Sequence, residues 1–426
     1  MEETSKNYGS GIVIKKELLE KELKNIFDVK KELEAILNRE VTDILSVILE
    51  GAIKLDVSDI HFEPQKSKVR LRFRLDGVLQ EILYFEKESY EKILSRIKLL
   101  SEMKLNVSQP QDGRFSVNMG EITIEVRTST LPTEWGESVV MRILNPRSLI
   151  SLEELGLRQE LLKTFNEEIR KPNGMIIVTG PTASGKTTTL YAILKKIQRP
   201  EIKIITIEDP IEYHLDGIVQ TQVNPKEGYT FATGLKSILR QSPNVVLVGE
   251  IRDFETAQIA IQASLTGHLV LTTMHTNDAA GTIARFLVLG ERLQNIAPAI
   301  NMAVAQRLVR KVCKKCSIEI ELTQQELNKI KNVLKNINIE IKEKFKVKKA
   351  KGCEDCSFTG YKGRIGIFET LLVDKEMENF ILTGPSISDL REMAQKKGMV
   401  TMYQDGLLKV IDGITTLEEI ERVVAK

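Results

Sequence analysis

One eight-residue run constrains this chain more than anything else in it. GPTASGKT, at 180–187, follows the apolar Met175, Ile176, Ile177 and Val178 and precedes the helix-forming TTTLYAILKK. The spacing G-x-x-x-x-G-K-[ST] has a physical reason at each fixed position. Gly180 and Gly185 let the backbone turn so that successive N–H groups face a phosphate, Lys186 adds a point charge, and Thr187 offers a hydroxyl to Mg²⁺ at a helix N-terminus. Gly180, Pro181, Thr182, Ala183, Ser184, Gly185, Lys186, Thr187 and Thr188 are therefore the candidate triphosphate-binding residues. A chance match on a strand-to-helix turn is the competing account. The apolar run before the loop and the helical run after it both weigh against that account.

Apolar segments recur downstream with helical stretches between them: IKIITI at 202–207, NVVLVG at 244–249 and HLVLTTM at 268–274. Runs apolar on both faces predict a parallel sheet covered on both sides, the P-loop α/β core. Upstream, residues 15–37 read as a charged amphipathic helix or helix pair behind a disordered start. Residues 41–53 carry apolar positions at helical spacing. Val69, Leu71, Phe73 and Leu75 alternate with Arg70, Arg72 and Arg74, and Ile122, Ile124 and Val126 alternate with polar residues, as strands with one core face do. With the helix KESYEKILSRIKLLSEM between them, these make 41–145 a small α+β domain. The divisions that follow are a tail at 1–40, a linker at 146–158 and a nucleotide domain at 159–426, which includes a cysteine-bearing subdomain at 307–365 and mostly helical patterns at 366–426. Residues 317–352 read as a short helix and strand without chemistry.

The acids that a phosphate loop requires should stand at the carboxyl ends of neighbouring strands. Glu208 and Asp209 end one such strand, followed by Pro210, and Glu250 follows Gly249 at the end of another. A single acid after a strand often marks no more than a solvated loop; two flanking one phosphate loop weaken that account. His275, in TTMHTNDA, falls at the same edge, where a lone histidine is more often structural than catalytic. Arg70, Arg72, Arg74, Arg114, Arg127 and Arg142 crowd the first domain. A solvated strand face would explain them, yet like charges at alternate positions repel unless something acidic, or a phosphate, faces them.

With 61 basic and 59 acidic residues the net charge is +2, which gives no bulk support for nucleic acid as the main ligand. No apolar run approaches the ~18 residues of a membrane span, and MEETSKNYGSG lacks a signal-peptide core. The expectation is a cytoplasmic chain with no transmembrane segment of its own. All four cysteines fall in two C-x-x-C pairs, Cys313 with Cys316 and Cys353 with Cys356. Four thiolates suit a closed, structural Zn²⁺ site, although the 36 residues between the pairs exceed a usual ribbon.

GPTASGKTTTLY, ITIEDPIEY, NVVLVGEIRDFETA and TGHLVLTTMHTNDA, in this order, resemble the Walker A, Asp box, Walker B and His box of the type II secretion and type IV pilus assembly ATPases. SDIHFEP, VRLRFRLDGVL, PQDGRF and RTSTLPTEWGESVVMRIL resemble that family's second amino-terminal domain. GRIGIFETLLVD and GMVTMYQDGLLKVIDGITTLEEI resemble its carboxyl-terminal end. The likeness covers residues 41–426 and departs at Ala183, where the family usually has glycine.

The resemblance implies a RecA-like core with a PAS-like amino-terminal domain and a tetracysteine metal-binding subdomain, assembled as a homohexamer. It also implies ATP and Mg²⁺ as cofactors and a polytopic inner-membrane platform protein as partner. By the same resemblance Lys186 and Thr187 bind phosphate and Mg²⁺, Glu208 activates water, Glu250 holds Mg²⁺ through water and His275 senses the γ-phosphate. Arg114 and Arg127 complete the site on domain closure. Retraction motors usually lack the tetracysteine site, so its presence favours assembly or export, at the inner face of the cytoplasmic membrane. The rival readings are a RecA-like nucleic-acid motor and a nucleotide-dependent binding switch.

Overall fold

The computed structural model describes residues 11–14, 22–120, 122–146, 149–337 and 345–424. The start expected to be disordered (1–10), part of the charged helix (15–21) and part of the inter-cysteine segment (338–344) lie outside them. Contacts divide the chain into two units. The first holds the residues up to 148 with Cys313–Ser317 and Ala350–Lys362, and the second holds Leu149–Val312, Ile318–Lys349 and Gly363–Lys426.

The first unit's strands are β1 (Gly11–Val13), β2 (Asp59–Pro64), β3 (Lys68–Leu75), β4 (Val78–Glu86), β5 (Gln111–Met119), β6 (Ile122–Thr133) and β7 (Gly136–Leu144). They form one sheet in the order β1-β5-β6-β7-β2-β3-β4, antiparallel throughout except where β1 pairs parallel with β5. Its helices are α1 (Ile26–Ile36), α2 (Val41–Lys54) and α3 (Lys87–Leu100). The expected alternation holds on β3: Val69, Leu71 and Phe73 are buried, with Phe62, Ile48 and Ile97 in the same core. An Asn25–Asp28 capping box starts α1. α1 lies so close to α2 that a Cβ on Gly51 would stand 2.7 Å from a Val29 methyl. The strand Gly11–Val13 falls within the expected tail, because three residues are too few to show a period.

The second unit contains β8 (Gly174–Thr179), β9 (Ile204–Glu208), β10 (Val219–Gln222), β11 (Val245–Val248), β12 (Leu269–Met274), β13 (Ile300–Val312), the antiparallel pair β14 (Ile318–Glu321) and β15 (Lys346–Lys349), and β16 (Tyr361–Leu372). The main sheet runs β10-β9-β11-β12-β8-β13-β16 and is parallel from β10 to β13. Helices α4 (Gln159–Glu168), α5 (Lys186–Ile197), α6 (Phe231–Leu239), α7 (Phe254–Leu265), α8 (Gly281–Leu289) and α9 (Leu293–Ala299) accompany it. They are followed by α10 (Gln324–Val333), α11 (Lys375–Leu382), α12 (Ile387–Lys396), α13 (Met402–Ile411) and α14 (Leu417–Val424).

Both faces of the sheet are core. Ile177, Ile205, Val246 and Val270 enter one apolar cluster, while their neighbours Ile176, Ile204, Leu247 and Leu271 enter another. This is the α/β nucleotide core expected, with one correction. Residues 366–372 were expected among helical patterns, but they extend the edge strand β16. IGIFETLL is a short apolar run compatible with either period, and here Ile367 and Leu371 pack in one layer and Phe368 in the other.

Candidate active site

Parallel strands deliver their carboxyl ends to one edge of a sheet, and there the structure collects most of the candidate residues. β8 ends at Thr179 and the chain enters the phosphate loop. Gly180 has φ +144°, and a Cβ on it would lie 2.4 Å from the Gln306 carbonyl oxygen; Gly185 has φ +89°, and its Cβ would lie 2.8 Å from Gln306 Nε2. Only glycine fits either place. Ala183 adopts φ +62°, a left-handed backbone that costs a side-chain-bearing residue roughly 1–2 kcal/mol.

Gly185 caps α5 without any side-chain hydrogen bond, which leaves first-turn N–H groups available to an anion. The Lys186 ammonium donates to the carbonyls of Gly180 at 2.8 Å and Pro181 at 3.0 Å. Burial pulls Lys186 below its ordinary pKa, and the nearby Glu250 carboxylate partly offsets that. Ser184 is buried, Thr187 and Thr188 are half-buried, and Pro181, Thr182 and Ala183 are exposed.

Glu208 ends β9, 4% exposed, and is held by three donors. Tyr191 OH donates to one carboxylate oxygen, and Thr206 Oγ1 at 2.6 Å and Gln220 Nε2 at 3.2 Å donate to the other. Glu250, just beyond β11, pairs with Arg252 at 2.6 Å and lies 3.5 Å from His275 Nε2. Burial lowers the His275 pKa, Lys186 and Arg252 lower it further, and Glu250 opposes them. Lys186, Glu250, Arg252 and His275 thus form one electrostatic group, the set of charges needed around a polyphosphate and its cation.

Arg114 and Arg127 belong to the other unit, where they are cross-strand partners on β5 and β6, and Arg127 in turn faces Arg142 on β7. The repulsion anticipated along β3 is met within the sheet. Glu63 binds Arg70 at 2.8 Å and also Arg72, while Asp59 binds Arg74 at 3.1 Å and Arg142 at 2.9 Å. Burial raises the Asp59 carboxyl, but Arg142, Ser58 and Arg74 outweigh it and hold it below the ordinary carboxylate value. Arg127 reaches Glu125 at 3.4 Å, whereas Arg114 is exposed and has no ion pair among the described residues.

Cys313, Cys316, Cys353 and Cys356 bring their sulfurs within 4.8 Å of one another, with separations of 3.8–3.9 Å along three edges. Zn–S bonds of about 2.3 Å require tetrahedron edges of about 3.8 Å, so the set fits zinc. The N–H groups of Gly352, Cys353 and Gly360 donate to Cys316 and Cys356 sulfurs at 3.2–3.3 Å, which suits thiolates.

Sequence reasoning missed four residues at the nucleotide edge. Arg252 stands two residues after Glu250 in GEIRD, and that offset was the available signal. Tyr191 reads as helix core, and Gln220 lies on a strand of four residues. Gln306, 1% exposed on β13, accepts from Thr189 Oγ1 at 2.6 Å behind the phosphate loop, and nothing local to it announces that role.

Residues 34–422 match the family model described as type II/IV secretion system protein. A type IV pilus assembly ATPase, PilB, from Thermus thermophilus is 44% identical over 375 residues, which are 88% of this chain and 42% of that protein. A type II secretion system protein E from Dickeya dadantii is 45% identical over 386 residues, covering 89% of this chain and 75% of that one. The chain thus spans less than half the length of the first and three quarters of the second. Among solved structures, the pilus retraction motor PilT with bound ADP aligns over 88% of this chain and 95% of its own with a TM-score of 0.58 and 26% identity. DotB of Legionella pneumophila aligns over 89% and 95% with a TM-score of 0.65 at 21% identity, a likeness of fold.

Proposed function

The chain belongs to the type II/IV secretion system protein family, as one of its secretion and pilus ATPases, and from that premise we propose that it is a hexameric, Mg²⁺-dependent motor driving pilus assembly or type II export. The observation that carries this reading is the meeting of Lys186, Glu250, Arg252 and His275 at the phosphate loop, with Glu208 held at the end of β9, the strand beside the β11 that leads to Glu250. A binding switch needs the loop alone; a hydrolase also needs the carboxylates.

In this reading the loop residues 180–188 hold the polyphosphate. Thr187 would hold Mg²⁺, with Glu250 reaching it through water, and the ion would supply charge neutralisation at the phosphates. Glu208 orients and deprotonates the attacking water, and His275 senses the γ-phosphate. Arg114 and Arg127, brought from the first unit of the same or an adjacent copy, stabilise charge on the transferred group. Their release after hydrolysis lets the domains move. No helix among the described residues is long and apolar enough to cross a membrane. The membrane partner in this reading is a polytopic inner-membrane platform protein. In this reading the motion separates the PAS-like domain at 41–145 from the ATPase domain at 159–426 across the segment 146–158, of which Leu152 and Leu155 are already buried in the second unit's core.

Steady-state phosphate release tests the reading. Turnover should be sustained and indifferent to added DNA or RNA; strong, salt-sensitive stimulation by nucleic acid would instead favour a nucleic-acid motor. Arg114→Ala should slow turnover ~10- to 100-fold, as loss of a charge-assisted hydrogen bond does, while nucleotide affinity holds. A wild-type rate in that variant would remove Arg114 from the site.

Zinc at the four cysteines is part of the same proposal. Protein kept reduced should carry about one zinc per chain by elemental analysis. Stripping it should expose α1 to hydrogen exchange, because Ile26 N–H donates to Ser357 Oγ at 3.1 Å and Phe27 stacks edge-on against Phe358 beside Cys356. A metal-free reduced preparation with unchanged protection at α1 would count against the site.

A further inference from the structure

The loop after His275 is tied at both ends. At its start, Thr276 N–H donates to Thr179 Oγ1 at 2.8 Å, and the two hydroxyls lie 2.7 Å apart, so it is fixed to the residue that precedes the phosphate loop. At its far end the ties come from the C-terminal part of the chain. Asp278 accepts from Gly281 N–H at 2.7 Å with one oxygen and from Arg391 on α12 at 2.6 Å with the other. Ala279 N–H donates to Glu369 Oε1 at 3.1 Å. Glu369 stands on β16, 5% exposed, and its second oxygen accepts from Met402 N–H, the first residue of α13, at 3.3 Å. Burial raises the Glu369 carboxyl; the two N–H donors and Arg391 pull it back, and Asp278 adds to the rise.

A carboxylate inside a core is costly unless its oxygens are occupied, and here they join the 275–281 loop directly to the start of α13. Ala279 lies four residues from His275. Met402 opens a helix whose Asp405 binds Lys409 at 2.7 Å, Arg158 at 2.8 Å and Phe368 N–H at 2.9 Å. We propose that Glu369, assisted by Arg391, is a positioning residue for the nucleotide site: it holds the 275–281 loop in register with α12 and α13, so that the C-terminal helices set where His275 sits. This rests on the reading of His275 as the γ-phosphate sensor.

A purely structural plug would act on stability alone, whereas a positioning residue acts on turnover through His275. Glu369→Gln keeps the volume but turns one acceptor into an NH₂ group facing a main-chain donor. It should lower kcat ~10-fold in steady-state phosphate release and leave the Kd of a fluorescent ADP analogue within ~2-fold. Introduced into His275→Ala, it should lower kcat no further, the non-additivity of residues that act through one another. Arg391→Met, made at a 42% exposed side chain, cuts the second tether and should repeat the effect more weakly if Glu369→Gln fails to fold. Unchanged kcat in both folded variants overturns the inference, as do losses that add fully to that of His275→Ala. A silent His275→Ala overturns the sensor reading and this inference together; a slow His275→Ala beside two normal tether variants overturns this inference alone.

Discussion

Lys186→Ala will turn over ATP at least ~10³-fold more slowly than the parent chain and will hold nucleotide weakly. The ammonium leans on the Gly180 and Pro181 carbonyls at the mouth of the loop, partly buried, with Glu250 near enough to influence its charge. In so sheltered a place a point charge acts through an effective dielectric well below that of water, and alanine replaces it with nothing. The loss is compounded by what stays behind: the Glu250 carboxylate remains close to where phosphate must sit, and Arg252, 68% exposed, is the cation left to pair with it. Phosphate release and the affinity of a fluorescent nucleotide analogue are the two readouts, with a thermal melt to show an intact fold. Turnover within tenfold of the parent chain would mean that the loop is not where hydrolysis occurs.

The loop and the strand ends could be read in the sequence because both depend on local chemistry. Glycines at fixed offsets, a lysine, and apolar runs ended by an acid are visible along the chain, and so are the cysteine pairs. What stayed hidden depends on the partner. Gln306 stands ~120 residues beyond the glycines it crowds, and no periodicity connects them. Glu369 falls in a stretch that reads as helical, and its role shows only once β16 takes its place at the edge of the sheet. The arginines of β3 are a mixed case. Their alternation was plain and so was the need for opposing charge, but Asp59 and Glu63, which supply it, become neighbours only through the register Asp59↔Arg74 and Glu63↔Arg70. Those pairings occupy Arg70, Arg72, Arg74 and Arg142 with carboxylates of their own sheet, a sorting that spacing could not make.

Glu208→Gln should separate binding from hydrolysis: nucleotide affinity within ~3-fold of the parent chain, and turnover down ~10³-fold, within the range for loss of a general base. A carboxylate has about four lone-pair positions, and Tyr191, Thr206 and Gln220 take three of them. One position is left, on the oxygen that Tyr191 also contacts, so the side chain is fixed in orientation and has room for a single further donor such as a water. Glutamine preserves the shape but cannot accept the water's proton. Depending on which way its amide turns, it also sets an NH₂ group against either the Tyr191 hydroxyl or the Thr206 and Gln220 donors. The first orientation costs less, because a hydroxyl can rotate to accept instead. Tyr191→Phe is the control. It frees a lone pair without removing the base, so it should disturb turnover far less than Glu208→Gln, and equal losses would mean that geometry rather than proton transfer is at stake. If Glu208→Gln retains rapid turnover while Glu250→Gln does not, the base is Glu250, 3.5 Å from His275, and the roles of the two acids are exchanged.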